Sequence, residues 1–147
     1  MSQPVIVTGI DGSAESKEAL RWAVAEARVH GDEVVALHAY DVEIPSPDAA
    51  PGPPLDVVGP VFEIHEGAVD LVTKVVDEVV GDDSAVTVTP TAVEDYPAKA
   101  LIDAAHGADL LVVAAKGEGL SSLLGSVSLE CAHHSPCPVV IYRRDRA

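Results

Sequence analysis

Residues 110–115 read LLVVAA and carry no polar side chain. A strand that is apolar on both faces has to be covered on both, which places it inside a mostly parallel sheet flanked by helices. Four more short runs rich in β-branched residues read as strands: 5–10, 34–40, 85–93 and 138–142. Segments of helical period lie between them, so strands and helices alternate along the chain. That order predicts an α/β fold with a doubly wound sheet in three layers, and right-handed crossovers place helices on both faces.

The helical segments carry their own punctuation. Ser13 is the expected N-cap of the first helix, whose apolar stripe is Ala19, Leu20, Ala23, Val24 and Ala27, and Gly31 suits its left-handed terminus. A second helix is expected over 61–80, with Ile64, Ala68, Leu71, Val72, Val75 and Val79 on one face. A third spans 97–106, with Pro97 in its first turn, and a fourth 126–134. Pro90, inside the third strand, requires an edge position or a bulge. Residues 41–60 hold six prolines (Pro45, Pro47, Pro51, Pro53, Pro54 and Pro60) and little periodicity, so they are expected to form a long variable loop within a single domain spanning 1–147.

Charge narrows the partners. With 24 acidic and 9 basic residues the formal charge is −15, and Arg143, Arg144 and Arg146 at the tail are the one basic cluster. No basic stripe offers itself to a nucleic acid. No apolar run approaches the ~20 residues of a membrane span. The first residues lack the pattern of a secretory signal, and two cysteines are too few for a disulfide scaffold, so a cytoplasmic location is expected. A small phosphate ligand is still accommodated, because backbone N–H groups at a helix N-terminus bind anions without a basic surface.

Doubly wound sheets bind ligands at the carboxyl ends of the strands where the strand order reverses. If the first and fourth strands are neighbours, two segments meet there: Gly9-Ile10-Asp11-Gly12-Ser13, and the run AAKGEGLSSLLGSVS from Ala114 to Ser128. The first supplies a carboxylate suited to ribose hydroxyls; the second supplies glycines and a helix N-terminus suited to a phosphate. Each also has a plainer reading. Asp11 can serve as a turn residue accepting from the Gly12 or Ser13 N–H, and the glycine run can be a strand-to-helix turn with an N-cap.

These residues resemble the universal stress protein family. The Asp11-Gly12-Ser13 turn is similar to that family's VGxDGS start, and LLGSVSLECAHHSPCPVVIYR resembles its signature LLGSVSxxxxxHxxCPVxVVR. The resemblance covers essentially the whole chain. It implies a five-stranded parallel sheet of order 3-2-1-4-5, Rossmann-like and related to the adenine nucleotide alpha hydrolases. It also implies a cytoplasmic homodimer paired through the last strand, here Val139, Val140, Ile141 and Tyr142. As ligand it implies ATP or another adenine nucleotide, with or without Mg²⁺, in a stress-response sensor. Family members use a pattern of Gly, two residues, Gly, nine residues, Gly, then Ser or Thr. Here Ala114 stands at the first glycine, Gly117 and Gly125-Ser126 match the others, and seven residues separate Gly117 from Gly125. Carried over by position, the nucleotide site comprises Asp11, Ala39, Ala114, Lys116, Gly117, Gly125, Ser126, Val127 and Ser128. The Ala114 methyl is expected to narrow the pocket.

Cys131, His133, His134 and Cys137 are metal-ligand types, but Pro136 breaks a regular path to Cys137 and the family signature places HxxCP here without a metal. No nucleophile elbow, P-loop lysine or triad spacing announces catalysis. Two functional readings therefore stand side by side: an adenine-nucleotide-binding dimeric sensor, and a dimer that works through protein contacts without nucleotide.

Overall fold

The computed structural model describes residues 3–41, 58–83, 85–115 and 124–144. Five strands, β1 (Val5–Gly9), β2 (Glu33–Tyr40), β3 (Val88–Glu94), β4 (Leu110–Ala114) and β5 (Val139–Tyr142), form one sheet in the order β3-β2-β1-β4-β5. Every pairing is parallel. Four helices complete the alternation: α1 (Ala14–His30), α2 (Val58–Val80), α3 (Pro97–Ala105) and α4 (Ser126–His134).

Local chemistry explains the element ends. The Ser13 side chain accepts from the Ser16 N–H and caps α1, while Gly31 at φ +75° closes it with its N–H on the Ala27 carbonyl. Pro97 opens α3, where its missing N–H has no intrahelical partner to lose. Pro90 lies in β3, at the sheet edge. Val34 donates to Thr87 and Asp95 to Tyr40, so by alternation the N–H groups of β3 that face β2 come from odd-numbered residues. The missing N–H of Pro90 points to the open side.

Side-chain alternation along the strands sends one set of residues to each face. Ile6, Val34 and Val112 join Leu20 and Val72 under α1 and α2. Val7, Leu37, Leu111 and Val113 join Leu101 and Cys131 under α3 and α4. Leu111, Val112 and Val113 are all buried, as a strand covered on both faces requires.

Two expectations are corrected. The second helix begins at Val58, inside the proline-rich segment, because proline is tolerated in a helix's first turn. Ile64, expected on the buried face, is 43% exposed, whereas Ala68 and Val72 further along α2 are buried. The remainder of the proline-rich segment, residues 42–57, lies outside the described residues.

Thr8 is fully buried in central β1, and its hydroxyl finds no partner among the described residues. An orphaned buried hydroxyl costs about 1–3 kcal/mol. Thr8→Val, which keeps the shape and removes the polar atom, is expected to raise stability by about 1 kcal/mol in chemical denaturation; a loss of stability would show that the hydroxyl is satisfied.

Candidate functional site

The crossover from β1 runs through α1 on one face of the sheet, and that from β4 through α4 on the other. Between these two adjacent strands the winding reverses, and a cavity of about 300 Å³ opens at their carboxyl ends. Gly9, Ile10, Asp11 and Ser16 form one wall, Leu37 and Ala39 of β2 and Pro97 and Leu101 of α3 the apolar part, and Val113–Ala115 with Gly125–Ser128 the other wall.

Asp11 is exposed at the rim, and its Oδ1 accepts the Ser13 N–H at 2.8 Å. The turn reading of Asp11 is therefore realised, and it leaves Oδ2 without a partner among the described residues. Ser13 caps α1, so that helix start already has a side-chain acceptor, for the Ser16 N–H.

At the opposite wall α4 has no capping side chain among the described residues. Gly125 occupies the N-cap with φ −71° and ψ 166° and supplies no side-chain cap, while its carbonyl accepts the Ser128 hydroxyl at 3.0 Å. The first N–H groups of any helix lack intrahelical acceptors, and the helix dipole adds partial positive charge there. Ser126, Val127 and Ser128 bring that terminus to the cavity. The Ala115 carbonyl accepts both the Gly125 N–H at 2.7 Å and the Ser128 hydroxyl at 2.8 Å, pinning the end of β4 to the start of α4. Ser128 is 1% exposed, and its hydroxyl is committed to this clamp.

Of the nine positions expected at the site, Asp11, Ala39, Ala114, Gly125, Ser126, Val127 and Ser128 line this one cavity. Lys116 and Gly117 lie outside the described residues. Ala114 packs with the cluster under α1 and α2, whereas Val113 packs under α3 and α4. Its methyl is thus on the α1 side of the cavity that it lines. Ala114→Gly is accordingly expected to change ligand affinity less than about twofold while costing roughly 0.5–1 kcal/mol of stability through added chain entropy. A tenfold change in affinity by titration would contradict this placement.

Residue patterns did not mark Leu37, Pro97, Leu101, Val113 or Ser16 as cavity residues. One signal was present. A Cβ on Gly9 would stand 3.0 Å from Leu101 Cδ1, so the glycine in β1 is what allows Leu101 to approach the sheet.

The cysteines sit apart from this cavity. Cys131, on the sheet-facing side of α4, is buried, and that burial, with a smaller contribution from Glu130, pushes its thiol up to about 11. It is therefore protonated at physiological pH. Among the described residues no group of three or more His, Cys, Asp or Glu converges on one point. None of the described helices is long and apolar enough to cross a membrane. β5 pairs with β4 on one side and has no strand on the other among the described residues.

The profile of the universal stress protein family matches residues 4–143. The chain belongs to the universal stress protein family. A universal stress protein of Mycolicibacterium smegmatis is 33% identical over 146 residues, covering 95% of this chain and 48% of that protein. The chain thus spans about half the length of the mycobacterial relatives it matches. A Thermus aquaticus universal stress protein is 32% identical, with 94% of this chain and 97% of the relative covered. Among solved structures, UspA of Lactobacillus plantarum superimposes with a TM-score of 0.74 at 23% identity, covering 97% and 100% of the two chains. A universal stress protein in complex with cAMP gives 0.59 at 26% identity, covering 96% and 97%. An Arabidopsis thaliana family member with AMP bound gives 0.60 at 18% identity, covering 97% and 92%. The fold expected of the family, a five-stranded parallel sheet of order 3-2-1-4-5, is the fold observed.

Proposed function

We propose that this universal stress protein binds an adenine nucleotide in the cavity between Asp11 and α4 and acts as a homodimeric stress-response sensor. The observation that carries the reading is the N-terminus of a nine-residue helix, with glycine as its N-cap, opening onto an apolar cavity that has a carboxylate at its far rim. A phosphate takes the N–H groups of α4, ribose hydroxyls donate to the Asp11 carboxylate, and the base rests on Leu37, Ala39 and Leu101. ATP and AMP carry these three parts, cyclic AMP with a single free ribose hydroxyl, and a relative's complex with cAMP supports the ligand class. Lys116 and Gly117 adjoin the phosphate end in sequence, and Mg²⁺ would accompany a polyphosphate.

The dimer reading rests on the unequal edges of the sheet. The β3 edge carries Pro90, which spoils it for pairing; β5, Val-Val-Ile-Tyr, carries neither proline nor charge. Leu129 of adjoining α4 is 43% exposed. Antiparallel pairing of two β5 strands would extend the sheet and cover this residue. α4 contacts both β4 and β5, which gives nucleotide at its N-terminus a route to the dimer edge.

The test is to purify the protein, denature it and identify released small molecules by mass spectrometry. Adenine nucleotide near one equivalent per chain is expected. Its absence, together with no binding of added nucleotide, would leave the dimer edge and protein contacts as the function.

A further inference from the structure

We propose that Ser16 is a positioning residue that aims the Asp11 carboxylate at the ligand's ribose hydroxyls; this rests on the nucleotide reading above. Of the described residues only Thr8, Ser16 and Ser128 are buried polar side chains, and the last two both line the cavity. Ser128 is accounted for by the clamp on Ala115. Ser16 stands three residues after the α1 N-cap, a position where capping boxes place Glu or Gln to bond the N-cap N–H. Here that N–H, of Ser13, is taken by Asp11 Oδ1 from outside the helix. Asp11 thereby does the work of the usual glutamate, and Ser16 is released for another task. Its hydroxyl donates to the Ser13 carbonyl at 2.9 Å and accepts the Asp11 N–H at 3.4 Å, while its own N–H donates to the Ser13 hydroxyl at 3.2 Å.

The Ser16 hydroxyl thus ties the Asp11 N–H to the Ser13 carbonyl and the Ser13 N–H holds one carboxylate oxygen, with Oδ2 left over at the rim; the Ser13 hydroxyl serves only the helix cap. Helix stability alone does not call for a serine here, since alanine is the better helix former at a buried site. The hydroxyl is explained by what it holds.

The test compares AMP with 2′,3′-dideoxy-AMP, which lacks the hydroxyls the carboxylate would engage, by titration calorimetry on wild type, Ser16→Ala and Ser13→Ala. Wild type is expected to prefer AMP. Ser16→Ala is expected to weaken AMP on the order of tenfold and the dideoxy compound less than about twofold, since a hydrogen bond to a charged group is lost only where the hydroxyls are present. Ser13→Ala removes the helix cap but keeps the N–H that holds Oδ1; it is expected to lower the melting temperature without changing the ratio of the two affinities. Equal losses for both ligands in Ser16→Ala, an unchanged AMP affinity, or a wild type that binds the two alike would each overturn the proposal. A wild type that binds neither would instead refute the nucleotide reading, and the positioning role would fall with it.

Discussion

Gly125→Val is expected to weaken adenine-nucleotide binding at least a hundredfold while leaving the protein folded. Gly125 has φ −71° and ψ 166°, an extended conformation that any residue adopts, so valine meets no backbone strain there. What valine adds is a branched side chain at the mouth of the α4 N-terminus, between the incoming phosphate and the N–H groups that would bind it. Two charge-assisted hydrogen bonds at about 1.5–3 kcal/mol each account for a loss of that size. Valine is a poorer N-cap than glycine, which costs roughly 1 kcal/mol of stability. The variant should therefore melt a few degrees lower with an unchanged circular dichroism spectrum. Unfolding of Gly125→Val would assign the glycine to the fold, and full-strength binding would place the phosphate elsewhere.

The second large effect concerns the sheet edge. Leu111 donates to Pro138 and Ala115 to Tyr142. By the alternation of a parallel ladder, Val139 and Ile141 turn their N–H groups away from β4. Ile141→Pro removes one of these outward donors and no bond to β4. The chain is expected to pass from dimer to monomer in sedimentation or size-exclusion measurements at micromolar concentration. Its circular dichroism spectrum should still be that of a folded α/β protein. A dimer that survives the substitution would move the interface away from β5.

The fold was legible because its determinants are local or follow from burial. LLVVAA demanded cover on two faces, Ser13 and Gly31 mark the ends of α1 through their own hydrogen bonds, and Pro90 could be accommodated only at an edge or bulge. Ile64 shows where periodicity runs out. It continues the apolar stripe of α2, yet it stands 43% exposed where Ala68, one turn further on, is buried. At the cavity, residues that bear chemistry could be read from their type: Asp11 as an acceptor, and Gly125 to Ser128 as a helix start. Leu37, Leu101 and Val113 could not, because an apolar residue near a strand end reads the same whether it meets a helix or a ligand. Ser16 was hidden for a related reason. Its role depends on Asp11 reaching over the N-cap, an arrangement visible only once β1 and α1 are joined by their turn.

The central claim is that the cavity between Asp11 and α4 holds an adenine nucleotide. It is tested most directly by following the melting temperature of the purified protein while titrating AMP, with ATP, ADP and cyclic AMP in parallel. A ligand that binds only the folded state adds about 2.7 kcal/mol of stability at a hundredfold excess over Kd. A saturable rise of several degrees with AMP, absent in Gly125→Val, is the predicted result. A melting temperature unmoved by every one of these nucleotides up to about ten millimolar would contradict the account, since such an excess stabilises the folded state even at submillimolar Kd.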